Sequence, residues 1–433
     1  MPLLMLNDHE PHPLSPASGG GKAAADWLQA LIAAEGAAIA DPIPDLSGVS
    51  PAVRRVALFT EAFLPKIDGV TRTALLTVQH LQQTGRQVLI FAPHPTLSHV
   101  GESRVVAIPS FPFPPNPETR VAPPYPPALI PLRRFRPDLI HLFSPFSLGA
   151  IGLIGGGLLG IPVLANYQTD LPGYTNSYNA PHVRRLFIDI LRFIHNGCTL
   201  TLAPTPNTRV ELQAWGFRRL RLWGRGVDTR RFSPARRRPA WRERLLAGRS
   251  ADRLLVLYVG RLSKEKHLET LHQIARHPAL ALTLIGDGHY RTQAERALCA
   301  DGGSAHFTGP LYGDDLADAY AAGDVFAFPG PEETFGQVVL EAMASGLPAI
   351  VTARGGPASY VADGVSGFIC PVDDGAAFCA AALRLCDADR RAAMGAAARR
   401  YAESCAWPSV MAQLESYFTE AAALHARYRR RKA

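Results

Sequence analysis

The 433-residue chain predicts an α/β fold built from two Rossmann-like domains. Short apolar runs without polar alternation recur along the sequence, and helical patterns separate them, as is typical of parallel sheets covered by helices on both faces. The runs form two series, at residues 56–204 and 254–371. Because 47% of the residues are hydrophobic and 19% are charged, each domain is expected to bury its own core.

The first series contains strands with the sequences VALFT, VLIFAP, VVAIP, DLIHLF, VLANY and LTLAP, and the second contains LLVLYVG, LTLIGDG, HFTG, VFAFP, AIVTA and GFICP. Ligands of such sheets bind beyond the carboxyl ends of the strands, so the site is expected in the cleft between the domains. We divide the chain into a flexible N-terminal extension (1–50), a first domain (51–228), a second domain (229–406) and a C-terminal helix that carries a basic tail (407–433).

The sequence argues against three classes of protein: membrane-spanning proteins, disulfide-bonded proteins and dinucleotide-binding enzymes. Glycines and Pro162 break the uncharged run 146–167 into a helix, a turn and a strand, so we predict no transmembrane segment. The six cysteines show neither CxxC pairs nor zinc spacing, which favours a reducing cytoplasm and no metal. IGDGHYR, residues 285–291, lacks the third glycine of an NAD fingerprint, and we expect no cofactor. The net charge is +8, but no recognised nucleic-acid-binding motif accompanies it, so we predict no specific nucleic-acid partner.

The segment PGPEETFGQVVLEAMASGLPAIVTARGGP, residues 329–357, places Glu333 and Glu341 around a predicted strand-to-helix turn, with seven residues between them. Gly336 lets backbone N–H groups at the helix start approach a ligand, and the helix dipole favours negative charge there. Glu341 lies among apolar residues of a helix predicted over 335–345, where a buried carboxylate requires a polar partner. The turn therefore suits an anionic, hydroxyl-rich ligand.

Each glutamate also has an ordinary structural explanation. Glu333 would stabilise a helix start by roughly 0.3 to 1 kcal/mol, and Glu341 would be an exposed helix residue. The pair around one turn is a more specific signal than either residue alone.

Three cations accompany predicted strand ends. Arg261 and Lys266, in LYVGRLSKEKHLETL, can neutralise a diphosphate leaving group without a metal ion, unless they are simply solvated surface charges. In the first domain, Gly69 precedes a helix whose N–H groups and Arg72 could face a phosphate. The alternative for Gly69 is a plain turn glycine.

These motifs resemble the family 4 retaining glycosyltransferases of the GT-B fold, in which two Rossmann-like domains face each other across a cleft. The glutamate doublet, the EAMASGLP helix end and the ARGGP turn carry the resemblance, which extends over residues 54–418. It implies that Glu333 lies against the donor sugar and that Glu341 holds the nucleotide ribose. It also implies that Arg261 and Lys266 contact the donor pyrophosphate.

The resemblance extends the predicted site beyond these four residues. It adds donor-binding and nucleotide-binding positions at Phe335, Gly336, Gln337, Gly286, Gly309 and Leu311, and a phosphate or acceptor loop at Gly69, Arg72 and Gln168.

The segment ANYQTDLPGY departs from the family at Gln168, where many relatives carry histidine. An amide cannot share a proton as imidazole does, which argues against a base here and favours a front-face mechanism assisted by the leaving phosphate. Asp170 is a candidate catalytic residue that contacts the acceptor or the sugar, or else a buried capping aspartate.

Two subgroups are the most similar. Residues 222–234 and the YQTD segment resemble bacterial GDP-mannose-dependent alpha-mannosyltransferases, whereas residues 103–114, 285–288 and 307–326 resemble sulfoquinovosyl diacylglycerol synthases, which use a UDP-sugar. Both imply a lipid or glycolipid acceptor. We therefore expect a metal-independent hexosyltransferase with a GDP- or UDP-linked donor, peripherally bound to the cytoplasmic face of the membrane.

Residues 182–196 combine arginines with large apolar side chains, which is compatible with an anionic membrane surface or with an ordinary packed helix. The Pro-rich segment 111–127 is a second candidate for the acceptor-facing part, as a loop. Rival functions are a GT-B enzyme with a soluble acceptor, an epimerase or phosphorylase, a catalytically silent sugar-nucleotide-binding protein, and a nucleic-acid-binding protein.

Overall fold

The computed structural model describes residues 53–64, 69–95, 97–113, 116–169 and 181–430. The predicted flexible extension, residues 1–50, lies outside the described residues, as do Asp170 and the last residues of the basic tail, 431–433. The described chain forms two α/β domains, each built around a parallel sheet, and this confirms the predicted fold class.

The strands of the first domain are β1 (Arg55–Thr60), β2 (Gln87–Pro93), β3 (His99–Val100), β4 (Ser103–Ile108), β5 (Phe111–Phe113), β6 (Asn116–Val121), β7 (Leu139–Phe143), β8 (Val163–Asn166), β9 (Leu200–Ala203) and β10 (Leu220–Leu222). Within the described ranges, eight of them form one sheet in the order β10-β9-β8-β7-β1-β2-β4-β3. Neighbouring strands of this sheet are parallel except β3 and β4.

The segment predicted as a Pro-rich loop, 111–127, instead contains an antiparallel pair, β5 with β6. A two-stranded ribbon has free edges, where proline's missing N–H disrupts no ladder. The loop prediction was therefore wrong for this part of the segment.

The helices of the first domain are α1 (Gly69–Gln83), α2 (Leu129–Phe135), α3 (Ser147–Leu159), α4 (Pro181–Gly197) and α5 (Pro206–Ala214). Side chains of β1 alternate between two cores because successive residues of a strand point to opposite faces. Val56 and Leu58 pack in the core that includes α1, and Ala57 and Phe59 pack in the core that includes α2 and α3. The sheet is therefore covered on both faces.

The uncharged run 146–167 consists of α3, a turn at Gly160 and β8, in agreement with the prediction from its glycines. Across the described residues, no helix has both the length and the apolar character needed to cross a bilayer.

The second domain contains β11 (Leu254–Val259), β12 (Leu280–Ile285), β13 (Ala305–Phe307), β14 (Val325–Phe328), β15 (Ala349–Thr352) and β16 (Gly367–Cys370), with helices α6 (Pro239–Leu246), α7 (His272–Arg276), α8 (Arg291–Leu298), α9 (Gly313–Ala322), α10 (Gln337–Ala344), α11 (Gly375–Arg384) and α12 (Ala388–Ser404). Its parallel sheet has the order β13-β12-β11-β14-β15-β16. The helix predicted over 335–345 is shorter: α10 begins after Gly336, whose φ of 82° places it in the left-handed region.

The chain crosses between the domains where Val227 and Ala406 form an isolated parallel bridge. After this bridge, α13 (Trp407–Arg430) returns to the first domain, and its apolar face joins the core that contains Val56.

A buried charge cluster also fixes α13 to the first domain. Arg86 donates two hydrogen bonds of 2.6 Å to the carboxylate of Glu415, and His80 Nε2 lies 2.8 Å from the same group. Burial raises the pKa of Glu415, but the hydrogen bonds with His80 and Arg86 outweigh it and hold the pKa below its ordinary value. A carboxylate kept charged in this way anchors the returning helix.

Candidate active site

The predicted site residues collect where the carboxyl ends of the two sheets face each other. Among the hydrogen bonds that cross this cleft, the hydroxyl of Thr334 donates to the backbone oxygen of Gln168 at 3.4 Å, and Asn207 donates to the oxygen of Gly355 at 3.3 Å. The loops that follow β8 and β14 therefore touch each other. In α/β proteins this is the edge at which ligands bind.

Glu333 and Lys266 form the central ion pair of the second domain. Lys266 Nζ lies 2.7 Å from Glu333 Oε2 and 5.5 Å from the centre of the Phe328 ring. Burial raises the pKa of Glu333, but the Lys266 ammonium, and then the charge of Arg225 and the N–H of Gly336, bring it below its ordinary value. Glu333 is therefore a fixed, ionised hydrogen-bond acceptor at neutral pH.

Arg261 lies on the same loop but in a different environment. Its side chain is 55% exposed, and its guanidinium lies 3.3 Å from the carboxylate of Glu265. Tyr258 donates a hydrogen bond of 3.1 Å to the backbone oxygen of Arg261. The backbone is thus held in place while the charged end stays exposed to solvent.

Glu341 is buried on α10, as its apolar neighbours predicted, and its polar partner comes from the other domain. Arg72 on α1 donates a hydrogen bond of 3.0 Å to Glu341 Oε1, and the hydroxyl of Tyr320 lies 3.4 Å from Oε2. Burial and then the Glu341 charge raise the pKa of Tyr320 well above its ordinary value. The structure therefore joins Arg72, expected in a phosphate or acceptor loop, to the predicted ribose-binding carboxylate.

The residues before α10 are closely packed. A Cβ atom at Gly336 would lie 2.6 Å from Pro357 Cγ, so only glycine fits this left-handed turn. Phe335 is buried, with the Arg225 guanidinium 6.0 Å from its ring centre. The amide of Gln337 donates to the oxygen of Gly226 at 3.0 Å, which links the second domain to the crossing segment. A donor contact for Gln337 stays a prediction.

The predicted nucleotide positions lie at the ends of β12 and β13. The N–H of Gly286 donates to the oxygen of Gly309 at 3.0 Å, and a Cβ at Gly286 would lie 2.0 Å from the oxygen of Gly260. Leu311 packs at the edge of the second-domain core. These residues offer backbone groups and an apolar side chain, and their contact with a nucleotide stays a prediction.

On the first-domain side, Gly69 begins α1 next to Arg225: a Cβ at Gly69 would lie 2.0 Å from Arg225 Nη1 and would displace the guanidinium. Gln168 is buried, and its Oε1 has no hydrogen-bond partner among the described residues. A buried orphan acceptor costs about 1 to 3 kcal/mol, which a donor group on a bound substrate would offset. The predicted role of Asp170 lies outside the described residues.

The sequence did not single out Arg225 or Tyr360, which both contact the turn before α10. Arg225 stands within the WGRGVD stretch, although spacing alone gives no reason for it to reach Phe335. Tyr360 follows the ARGGP turn by three residues, and only the folded turn brings it back to Gly336. In the part of the chain that the structure describes, no group of three or more His, Cys, Asp or Glu side chains could hold a metal ion.

Comparison with known proteins decides the family. The family models described as "Glycosyltransferase Family 4" and "Glycosyl transferases group 1" match residues 67–231 and 253–388. A GDP-mannose-dependent alpha-mannosyltransferase of Mycobacterium tuberculosis is 38% identical over 379 residues, which cover 84% of this chain and 96% of that protein. This chain belongs to the family 4 glycosyltransferases. This confirms the resemblance drawn from the glutamate doublet and the turn that follows it.

This family 4 glycosyltransferase is also 33% identical over 375 residues to the sulfoquinovosyl transferase SQD2 of Arabidopsis thaliana, covering 84% of this chain and 73% of that protein. Among solved structures, Anabaena HepE in complex with UDP and glucose matches with a TM-score of 0.65 at 18% identity, covering 85% of this chain and 99% of that one. Sucrose-phosphate synthase from Thermosynechococcus elongatus matches with a TM-score of 0.66 at 21% identity, covering 85% and 98%. At these identities the two structures support the GT-B fold alone.

Proposed function

We propose that this family 4 glycosyltransferase transfers a hexosyl group from a nucleoside diphosphate sugar to a hydroxyl group of a lipid or glycolipid, with GDP-mannose as its preferred donor. The observation that carries the proposal is the Lys266–Glu333 pair, 2.7 Å between Nζ and Oε2, in the cleft that also holds Glu341. Relatives named GDP-mannose-dependent alpha-mannosyltransferase, at 38% and 39% identity, support the choice of donor. The similarity to SQD2 favours a UDP-linked sugar as the second candidate.

The diphosphate is the group on which charge develops during the transfer. As the bond between the anomeric carbon and the phosphate oxygen breaks, Arg261 and Lys266 stabilise the growing negative charge. The acceptor hydroxyl oxygen bonds to the anomeric carbon from the same face, and its proton passes to the departing phosphate oxygen. The α configuration of the donor is thereby retained, and no protein base is needed. This agrees with an amide, rather than an imidazole, at Gln168.

Glu333 and Glu341 bind different hydroxyl groups of the donor. Glu333, held by Lys266, accepts hydrogen bonds from the hexose, and Glu341 accepts them from the ribose. A carboxylate accepts up to about four hydrogen bonds, so ribose hydroxyls can bind Glu341 alongside Arg72 and Tyr320. The nucleotide sugar is the co-substrate, and the proposal requires neither a metal ion nor another cofactor.

A lipid acceptor is supported by exposed apolar side chains on neighbouring helices of the first domain, which we call the apolar helix surface. It consists of exposed apolar side chains on three helices that pack side by side, α2, α3 and α4: Ile130, Ile154, Leu158, Leu186 and Phe193. Leu158 is 71% exposed and Phe193 is 76% exposed. Arg133, Arg134 and Arg185 are exposed on the same helices. Large exposed apolar residues together with arginines suit an anionic membrane.

Vesicle sedimentation tests the apolar helix surface. We expect the wild type to sediment with phosphatidylglycerol-containing vesicles and much less with phosphatidylcholine vesicles. The double variant Leu158→Ser, Phe193→Ser should lose about tenfold or more of this binding, because two exposed apolar side chains no longer enter the lipid. Val365→Ser in the second domain is the matched control, since Val365 is 59% exposed there. Equal sedimentation of all three proteins would contradict membrane docking here.

The donor and acceptor are tested together by incubating the protein with radiolabelled GDP-mannose, UDP-glucose, UDP-galactose or UDP-sulfoquinovose and a total lipid extract. Label from GDP-mannose in the lipid phase supports the proposal. Label from a UDP-sugar alone would replace the proposed donor, and label only in the water-soluble fraction would replace the proposed acceptor. Absence of transfer from every donor would overturn the proposed function.

A further inference from the structure

The hydroxyl of Tyr360 lies against two consecutive backbone carbonyls of the turn before α10. It is 2.9 Å from the oxygen of Phe335 and 2.9 Å from the oxygen of Gly336. A phenol has a single proton, which the two carbonyls share. Burial and then the charges of neighbouring groups raise the pKa of Tyr360 well above its ordinary value, so the hydroxyl remains a donor.

Because a peptide group is planar and trans, fixing its carbonyl also fixes the N–H on its opposite side. The carbonyls of Phe335 and Gly336 belong to the peptide groups that carry the N–H groups of Gly336 and Gln337. The N–H of Gly336 contributes a hydrogen bond to Glu333, one of the interactions that lower the pKa of that carboxyl. The Tyr360 hydroxyl therefore orients both the helix start and the carboxylate beside it.

Two ring contacts hold Tyr360 itself in place. Its ring centre lies 5.4 Å from that of Phe335, and its ring also stacks on Tyr401, with centres 5.7 Å apart and planes inclined by 4°. Tyr401 stands near the end of α12, immediately before the segment that crosses to the first domain. The three rings thus connect the turn before α10 with the end of α12.

We propose that Tyr360 is a positioning residue for the donor, whose hydroxyl holds the turn so that Glu333 and the first N–H groups of α10 face the hexosyl diphosphate. The inference deepens the proposed function and rests on it, because Glu333 is taken there as the hexose contact. Tyr360 itself needs no contact with the substrate.

The test compares Tyr360→Phe with Tyr417→Phe. Tyr417 also donates its hydroxyl to a backbone oxygen, that of Leu222 at 2.7 Å, but it lies on α13 and bonds the end of β10 rather than the turn before α10. Both variants keep the ring and lose one hydroxyl, so a general loss of stability should affect them alike. Melting temperature, kcat and KM for the donor, and calorimetric affinities for GDP and GDP-mannose are measured on all three proteins.

We expect Tyr360→Phe to lower kcat/KM for the donor by about tenfold or more and to weaken GDP-mannose binding more than GDP binding, because GDP does not use Glu333. Tyr417→Phe should match the wild type per folded molecule. Identical kcat, KM and GDP-mannose affinity in Tyr360→Phe and wild type would refute the positioning role.

Amide hydrogen exchange separates this inference from the proposed function. In Tyr360→Phe, the amides of Gly336 and Gln337 should exchange faster than in the wild type or in Tyr417→Phe, whichever donor the enzyme uses. If no donor is turned over but these amides exchange faster, the proposed function is wrong, but the inference that the Tyr360 hydroxyl holds the turn before α10 is supported. Equal exchange rates at both amides in Tyr360→Phe and the wild type would contradict the inference, even if the enzyme is active.

Discussion

At the residue scale, the two cations after β11 have different tasks. Lys266 is bound to Glu333 and also faces the Phe328 ring, so it orients the carboxylate and adds charge to the site. Arg261 is more than half exposed and bonded only weakly to Glu265, so its guanidinium can move onto a diphosphate. We infer that Arg261 contributes mainly as charge develops on the leaving group.

Replacing Arg261 by alanine should therefore lower turnover by about a hundredfold or more, because the leaving diphosphate loses a positive partner. Arg390→Ala, an exposed arginine on α12, is the control and should leave turnover unchanged. EDTA should change little in either protein. A strict requirement for an added divalent ion would contradict the expectation that these cations replace a metal.

A substitution at Glu341 can separate a role in ribose binding from a role in the stability of the fold. Glu341→Gln keeps the shape but loses the charge, and it should weaken GDP binding by about 1.5 to 3 kcal/mol. Glu415→Gln is the matched control, because Glu415 is also a buried carboxylate bonded to an arginine but lies on α13. Calorimetry with GDP and UDP, together with thermal melts, should show lower affinity only for Glu341→Gln. Equal affinities in Glu341→Gln and wild type would rule out the ribose role.

At the element scale, the side chain of Glu61 links the end of β1 to the start of α3 through hydrogen bonds. Its Oε1 accepts the N–H groups of Phe146 at 2.7 Å and Gly149 at 2.9 Å. Burial raises the pKa of Glu61 from 4.5 to about 7, although these N–H groups oppose the change. The connection between β1 and α3 is therefore sensitive to pH in the neutral range.

The sign of this dependence follows from the raised pKa. Below pH 4.5 the carboxyl is protonated in the folded and unfolded chain, and the stability it contributes is complete. Between pH 4.5 and about 7 the unfolded chain ionises first, so this stability is progressively lost, up to about 3 kcal/mol. Glu61→Gln cannot ionise, so its unfolding free energy from urea titrations should fall less over this range than that of the wild type. Parallel curves for the two proteins would show that Glu61 does not titrate there.

At the scale of the whole molecule, the candidate site is built from both domains. Arg72 and Glu341 are 269 residues apart in sequence and 3.0 Å apart across the cleft. The crossing helix α13 then anchors the second domain to the first through Trp407 and Glu415. We infer that donor binding at Glu341 and the approach of the two domains are linked, because one carboxylate takes part in both.

The sequence predicted the parts of this arrangement that depend on local pattern. Each apolar run assigned to a strand is a strand, since a doubly covered parallel sheet requires continuous apolar segments. The burial of Glu341 followed from its apolar neighbours on α10. Contacts such as Tyr360 with Gly336 were not predicted, because they depend on how the ARGGP turn folds back. The β5–β6 ribbon was missed because its prolines indicate a loop.

The central claim, retaining transfer from GDP-mannose to a lipid, is tested most directly by NMR of the product. The enzyme is incubated with GDP-α-mannose labelled with ¹³C at the anomeric carbon and with lipid extract, and the one-bond C1–H1 coupling of the purified glycolipid is measured. We predict an α-mannosyl lipid, because the acceptor oxygen enters on the face that the phosphate leaves. A β-linked product, or labelled mannose released only into water, would contradict the account.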